Sequence, residues 1–566
     1  MPTIGEFGRP EASGRAPGQH EASVLAEVQQ RPAQTEKTPP CCTECATGTD
    51  VRRWISVIAQ RRKLGLSDRE AYARAWSMLS AVNPFPATLG RICPHPCESG
   101  CNRAGKDGAV AIKALERFLG DWGVQQHLGL PILEESGQPE SIGVVGAGPA
   151  GLSFAYQMAR RGYPVTVYEK QDKPGGMLHY GIPQFRLPQY VLEAEVRRVL
   201  DLGVELRLAT AIGRDVSLGE LRERHAALFL GIGAVRSVPL DIPGDGGDGV
   251  WTGTEYLGAL NRAERVSLGE RVVVVGGGNT AMDAARCARR TGASVTLIYR
   301  RTPDEMPAIR SEVEAAASEG VQMEYLAAPV SIERSDGIVR AVIAQRMRLA
   351  DAGASRRRRC VPLAGSEFEL PADSVIAAVS RYADWSGFHK LDLRGPLGRS
   401  QGAWELGAGV WVGGDALGPG IAGLAIAEGR QAAEGLHAHL RGRSHPARAA
   451  PQPVRWEAAV KADYYAAKER VSPPSRTATE RLAQPDAEIQ QTLHADAFLE
   501  EVTRCFSCGL CFGCELCFTY CSAGAFTRLE RVQSGAYFTL SPDRCEGCRK
   551  CIEICPSGFL SAVPRP

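Results

Sequence analysis

The sequence predicts an α/β protein with a pair of parallel-sheet units in its middle, an α-helical domain before them and a small α+β domain after them. Three observations predict it. Two segments each read strand, glycine-rich turn, helix, strand: SIGVVGAGPAGLSFAYQMARRGYPVTVYEK from Ser141 and, 130 residues on, RVVVVGGGNTAMDAARCARRTGASVTLIYRR from Arg271. Eighteen cysteines are unevenly spread, six from Cys41 to Cys101, ten from Cys505 to Cys555, and only Cys287 and Cys360 between. The 566 residues exceed one core, so roughly three to five domains are expected.

Composition narrows the function classes. The net charge of +2 gives no basic field for nucleic acid. No run of about eighteen apolar residues forms a membrane span, and no basic flank precedes an apolar signal core. A cytoplasmic protein is therefore expected. In a reducing compartment so many thiols serve as metal ligands rather than disulfides.

In chain order, residues 1–38 lack apolar periodicity and read as a disordered tail. Trp54, Val57, Ile58 and Leu64, then Ala71, Ala75, Met78 and Leu79, recur at helical spacing in a helical cysteine-bearing domain, 39–137. The first sheet unit spans 138–255 and is completed by 373–442 after the second unit, 256–372. A linker rich in Pro, Arg and Ala, 443–500, leads to the last domain, 501–566.

In the first unit Gly146, Gly148 and Gly151 follow the apolar run Ile142–Val145 directly. Such a turn brings backbone N–H groups and a helix N-terminus against a pyrophosphate. Glu169, at the end of the next strand, is placed to accept hydrogen bonds from an adenosine ribose. The second unit repeats the spacing with Gly276, Gly278 and Ala281. Its strand end carries no acid but Tyr299, Arg300 and Arg301, and guanidinium groups there suit a 2′-phosphate. Two Rossmann-like units of different character imply two dinucleotides: FAD in the first, and in the second NADPH in preference to NADH. A later segment, GVWVGGDALGPGIAGLAIAEGRQAAEGLHAHL from Gly409, resembles the closing segment of two-dinucleotide flavoproteins. That resemblance implies that Asp415 binds the FAD ribityl chain and that the following helix points at the flavin.

GGMLHYGIPQFRLP from Gly175, DIPGDGGDGV from Asp241, GGGNTAMDAAR from Gly276 and YRRTPDEMPA from Tyr299 together resemble the glutamate synthase small subunit and its relatives, over roughly residues 40–440. The resemblance implies an FAD-dependent NAD(P)H oxidoreductase subunit with an N-terminal Fe–S domain. It implies Gly175 and Gly176 against FAD, Gly181 to Pro188 along the flavin and substrate side, and Asn279 at the second nucleotide. One departure is AAVSRYAD around Ser380, where relatives carry Gly-Gln. Cys287 and Cys360 have no nearby partner, so the redox cysteine pair of thioredoxin reductases is not expected, and electrons must leave the flavin by another route.

The C-terminal thiols supply it. Cys545, Cys548, Cys551 and Cys555 before Pro556 have the C-x2-C-x2-C-x3-C-P spacing of two-cluster bacterial ferredoxins, and Cys511, Cys514, Cys517 and Cys521 repeat it without the proline. In that pattern the fourth thiol of each run serves the other cluster, so Cys555 joins Cys511, Cys514 and Cys517, and Cys521 joins Cys545, Cys548 and Cys551. Zinc is the competing reading. Cys505 and Cys508 are left over: either the register slips to include them or they serve another site. At the other end, PCCTECATGTD and GRICPHPCESGCNRA resemble the small-subunit Fe–S domain, with a first group too short for two complete clusters. One 4Fe–4S cluster is expected there, on Cys45, Cys93 and Cys97, with Cys41, Cys101 or Glu116 as the fourth ligand.

No Ser-His-Asp, zinc-protease or P-loop constellation occurs, and hydride transfer needs no general acid or base. The run Arg356–Arg359 reads as a solvated loop, or as a dock for an acidic partner. The sequence thus points to a diaphorase subunit of a hetero-oligomer, exchanging electrons with a protein partner of the 2-oxoacid:ferredoxin oxidoreductase type. The alternatives are a glutamate synthase small subunit and a non-catalytic Fe–S scaffold.

Overall fold

The computed structural model describes residues 30–350, 358–388, 391, 405–407, 409–444, 453–454 and 460–564. The first unit is a six-stranded sheet in the order Glu405–Gly407, Val410–Val412, Ala227–Leu230, Ile142–Val145, Val165–Tyr168, Glu205–Arg207. All neighbours run parallel except the Glu405–Gly407 edge. Its three central strands are buried at every residue, which is why they read as unbroken apolar runs. Helices Pro149–Ala159 and Ala422–Leu440 cover it side by side. A Cβ on Gly429 would lie 2.1 Å from the Ala150 carbonyl oxygen, so the two helices meet backbone to backbone.

The second unit is a parallel five-stranded sheet in the order Gln322–Tyr325, Ser294–Tyr299, Arg271–Val275, Ser374–Ala377, Val250–Thr252. An antiparallel three-stranded sheet, Ala327–Ser335, Ile338–Leu349 and Cys360–Pro371, packs against it. Where the chain passes between the units, Arg236–Ser237 pairs with Arg381–Tyr382. Ser380 sits at this crossing, its carbonyl accepting from the Val238 amide at 3.0 Å.

The N-terminal domain is helical: Val51–Ala59, Asp68–Ser80, Pro86–Ile92 and Ile112–Gln125. Asp50 caps the first, and a Ser67/Glu70 capping box starts the second. Gly90 and Gly120 let the last two helices touch, since a Cβ on either would lie within 2.4 Å of the opposite backbone. The buried Glu195 carboxylate caps helix Pro86–Ile92 from the first unit, accepting from the amides of Ala87 at 2.7 Å and Thr88 at 2.9 Å. Burial pushes its pKa up to about 7. The end of that helix, and with it Cys93, is thereby fixed against the first unit.

Four segments differ from expectation. Val250–Thr252 and Ser374–Ala377, expected within the first unit, are strands of the second sheet, where Ser374–Ala377 pairs with Arg271–Val275 on one side and Val250–Thr252 on the other. The end of the supposed disordered tail, Gln30–Gln34, is a strand paired antiparallel with Leu560–Pro564. Gln34 Nε2 donates to the Phe538 carbonyl at 2.7 Å, and the Lys37 amide to the Gly509 carbonyl at 3.0 Å. The C-terminal domain presents an edge that a strand can satisfy, and backbone pairing needs no apolar periodicity in that strand. Residues 1–29 lie outside the described residues. Likewise the linker from Val460 on is a strap laid over the first unit and the helical domain. The Ile489 amide donates to the Phe185 carbonyl at 3.0 Å, and Arg117 donates to the Gln490 carbonyl at 2.9 Å. Residues 445–452 and 455–459 of the linker lie outside the description. Deleting residues 1–36 is expected to speed iron loss from the C-terminal domain in air, followed by visible absorbance; an unchanged rate would show that the strand gives no protection.

Candidate functional site

Both sheet units open onto one cavity of about 1050 Å³. From the first unit its wall takes Gly146, Gly148, Glu169, Gly176, Gly181 and Asp415, and from the second Gly278, Asn279, Thr280 and Asp283. Gly146 has φ +99°, and a Cβ on Gly151 would lie 1.9 Å from the Gly146 carbonyl oxygen. Helix Pro149–Ala159 thus begins directly on the turn, with Gly148 as its N-cap. Gly175 and Gly176, at φ +114° and +54°, make a second turn against the first, and a Cβ on Gly176 would lie 2.9 Å from the Gly148 Cα.

Glu169 is 6% exposed and held by the amides of Ala147 at 2.8 Å and Gln171 at 2.9 Å. Each carboxylate oxygen keeps a further lone pair for a ribose hydroxyl. Burial raises its pKa against those hydrogen bonds. Opposite, the buried Glu428 carboxylate accepts from the Gly414 amide at 2.7 Å and shapes the turn that carries Asp415. The N-terminal residues Ile421, Ala422 and Ala425 of the following helix also line the cavity. In the second unit Gly276, at φ +147°, sits under the Ala378 carbonyl, Gly278 is open to the cavity, and Ala281 is fully buried. Asn279 Oδ1 accepts from the Ile309 amide at 2.9 Å, tying down the segment after the strand.

Arg300 and Arg301 follow the strand, which ends at Tyr299, and are not part of this wall. Arg301 donates to the Arg358 carbonyl at 3.1 Å, and Arg358 pairs with Glu305, so half of the Arg356–Arg359 run packs beside the nucleotide unit. Arg356 and Arg357 lie outside the described residues. Two wall features escaped the sequence. Arg186 reaches across from the first unit to Asp283 of the second at 2.6 Å, both side chains under 10% exposed. Arg381 lies 3.8 Å from Asp415, and its buried Nη1 has no hydrogen-bond partner, a donor placed where a ligand oxygen would satisfy it.

The thiols fall into groups. Cys511, Cys514, Cys517 and Cys555 line one small cavity, and Cys521, Cys545, Cys548 and Cys551 another. Pro32 and Gln34 of the N-terminal strand complete their walls. In the helical domain Cys45, Cys93 and Cys97 share a cavity with Glu116, whose carboxylate accepts from Asn83 Nδ2 at 2.8 Å. Cys93 also lines the large nucleotide cavity. Cys41 and Cys101 are not in that group; they lie with Cys42, Cys505 and Cys508. Among the described residues no His, Cys, Asp or Glu side chains converge as one bound ion requires. All eighteen cysteines are free of disulfides. Cys287 is buried in helix Asn279–Arg290, where burial pushes its thiol pKa up and keeps it inert.

A cavity shared by two glycine-turn units, with thiol groups at both ends of the chain, defines an FAD- and NADPH-binding oxidoreductase carrying 4Fe–4S domains. The chain belongs to the pyridine nucleotide-disulphide oxidoreductase family, matched over residues 140–429. Residues 17–128 match dihydropyrimidine dehydrogenase domain II, 4Fe-4S cluster, and residues 510–559 a 4Fe-4S dicluster domain. The NADP(+)-dependent formate dehydrogenase subunit beta of Moorella thermoacetica is 35% identical over 75% of this chain and 63% of its own length. The NADPH-Fe(3+) oxidoreductase subunit beta of Geobacter sulfurreducens is 37% identical over 62% of this chain and 52% of its own. The glutamate synthase [NADPH] small chain of Azospirillum brasilense is 34% identical over 72% of this chain and 87% of its own. The chain thus spans less than two thirds of the first two relatives. No helix among the described residues is long and apolar enough to cross a membrane.

Proposed function

We propose that the chain is the NAD(P)H-handling subunit of a hetero-oligomeric redox enzyme, moving electrons between NADPH, FAD and a row of 4Fe–4S clusters that ends at a protein partner. One observation carries this reading: Cys93 stands both in the wall of the nucleotide cavity and in the Cys45/Cys93/Cys97/Glu116 group. When bound, FAD supplies the chemistry of taking a hydride from a nicotinamide and passing its electrons on singly to clusters.

The protein's own residues do the positioning. The Gly146–Gly151 turn and the N-terminus of helix Pro149–Ala159 offer amides and a positive dipole to the FAD pyrophosphate. Glu169 takes the ribose, and Asp415, with Arg381 beside it, the ribityl and phosphate side. Gly276, Gly278 and Asn279 cradle the second dinucleotide, and Arg300 and Arg301 stand at the strand end for its 2′-phosphate. The buried Arg186–Asp283 pair fixes the second unit against the first, so that two bound rings would meet in a set geometry. Cys45, Cys93, Cys97 and Glu116 hold the cluster nearest the flavin, and the two C-terminal quartets carry electrons outward.

The partner we favour is a low-potential enzyme of the 2-oxoacid:ferredoxin oxidoreductase type, because a two-cluster module fused to the chain suits one-electron exchange with another iron–sulfur protein. The names of the relatives, beta subunits and small chains, support a larger assembly. The second reading, a glutamate synthase small subunit, is favoured by the match covering 87% of such a chain. Isolation of the tagged chain from its source cells without oxygen decides between them. A co-purifying 2-oxoacid oxidoreductase supports the first reading, and a large subunit that makes glutamate with NADPH supports the second. A chain whose flavin is bleached by neither NADPH nor NADH is a scaffold.

A further inference from the structure

We propose that Cys41, Cys101, Cys505 and Cys508 hold a further 4Fe–4S cluster, built where a loop of the C-terminal segment enters the N-terminal helical domain. The inference rests on reading the other thiol groups as 4Fe–4S sites and adds one that none of them contains. Cys505 and Cys508 precede the 510–559 dicluster match, and neither lines the two C-terminal thiol cavities.

The thiols come together from sequence positions some 400 residues apart. Cys41, Cys101 and Cys505 pack against one hydrophobic core, and the Lys37 amide, four residues before Cys41, donates to the carbonyl of Gly509, next to Cys508, at 3.0 Å. Asn102 Nδ2 donates to Cys508 Sγ at 3.2 Å, and the Ser507 amide points at Cys505 Sγ at 3.4 Å. Hydrogen bonds to sulfur of this kind surround cluster ligands. Cys42 is the fifth thiol nearby, but its Sγ donates to Asp50 Oδ1 at 3.2 Å and so already has a partner of its own.

The loop is locked in this position. Arg504 is fully buried, pairing with Glu501 at 2.7 Å and Asp107 at 3.0 Å. The Glu501 carboxylate accepts in turn from the amides of Ala111 at 2.8 Å and Val471 at 2.9 Å. Arg52 donates to the Cys508 carbonyl at 2.9 Å. Buried charges are tolerated only where geometry satisfies them, so the approach of Cys505 and Cys508 to Cys41 and Cys101 belongs to the fold. Arg52 is 3% exposed; its charge is met by Glu36 at 2.6 Å and Asp50 at 3.4 Å, and its buried Nε keeps an N–H without an acceptor, a donor left for a ligand of this region.

The site also completes a row. Cys41 and Cys45 are four residues apart, as are Cys97 and Cys101, so each pair gives one thiol to this site and one to the Cys93 group beside the cavity. Cys508 is three residues from Cys511, a Cα separation of at most roughly 11 Å. The cluster therefore lies between the one nearest the flavin and the C-terminal pair, accepting one electron from the first and returning one to the second.

The test counts metal in the full chain, purified and reconstituted without oxygen, with spins counted by EPR after dithionite. About sixteen iron and sixteen sulfide per chain are expected, corresponding to four 4Fe–4S clusters. The Cys505→Ser/Cys508→Ser double variant is expected to lose about four of each and one spin, while Cys42→Ser loses none. About twelve iron in the unaltered chain, full iron in the double variant, iron loss in Cys42→Ser, or zinc at this site would each overturn the proposal. If the double variant does not fold, the count in the unaltered chain still decides. A chain that binds no iron anywhere would instead bring down the underlying reading of all the thiol groups.

Discussion

Cys45→Ser is expected to leave NADPH able to bleach the bound flavin while slowing electron arrival at the C-terminal clusters by on the order of 100-fold. Cys45, Cys93, Cys97 and Glu116 form the thiol group that touches the nucleotide cavity, and no other thiol group lines that cavity among the described residues. Serine keeps the size of the side chain but is a poor ligand for iron, so the group should fail as a relay without disturbing the FAD turn. Stopped-flow absorbance at the flavin band, paired with freeze-quench EPR of the clusters, separates the two steps. Unchanged cluster reduction in this variant would mean that electrons leave the flavin by another exit.

Gly151→Val should instead strike upstream, yielding a protein that folds but retains little flavin. Its Cβ would sit 1.9 Å from the Gly146 carbonyl oxygen, so the turn must open by more than a side-chain adjustment. Overpacking of this kind costs about 1–3 kcal/mol, which falls mainly on the bound conformation and corresponds to roughly 5- to 150-fold weaker FAD binding. Flavin released on denaturation, divided by protein, measures it directly. The second unit provides the contrast, since Ala281 occupies the corresponding position without harm. Full flavin in Gly151→Val would show that the turn does not cradle the pyrophosphate.

These two sites differ in how they are written in the chain. The glycine turns, Glu169 and the ferredoxin spacing are local patterns, because a turn, a helix start or a ligand run needs residues only a few positions apart. The cavity wall is not local. Arg186 meets Asp283 and Arg381 meets Asp415 only once the two sheets are docked, and neither pair has a spacing to notice. The Gln30–Gln34 strand was missed because it contributes backbone pairing without apolar alternation. Cys505 and Cys508 carried a signal, a C-x2-C left over from a complete ferredoxin run, but their partners lie some 400 residues upstream. Arg300 and Arg301 do not line the cavity, and their assignment to a 2′-phosphate rests on their register after the strand alone.

The most direct check on the whole scheme is a single anaerobic titration of the flavin- and iron-loaded full chain with NADPH, followed at once by visible absorbance and low-temperature EPR. The yellow colour should fade first, and signals of reduced 4Fe–4S centres should then grow in as nucleotide is added. Persistent colour, or a bleached flavin beside clusters that remain oxidised even though dithionite can reduce them, would contradict it.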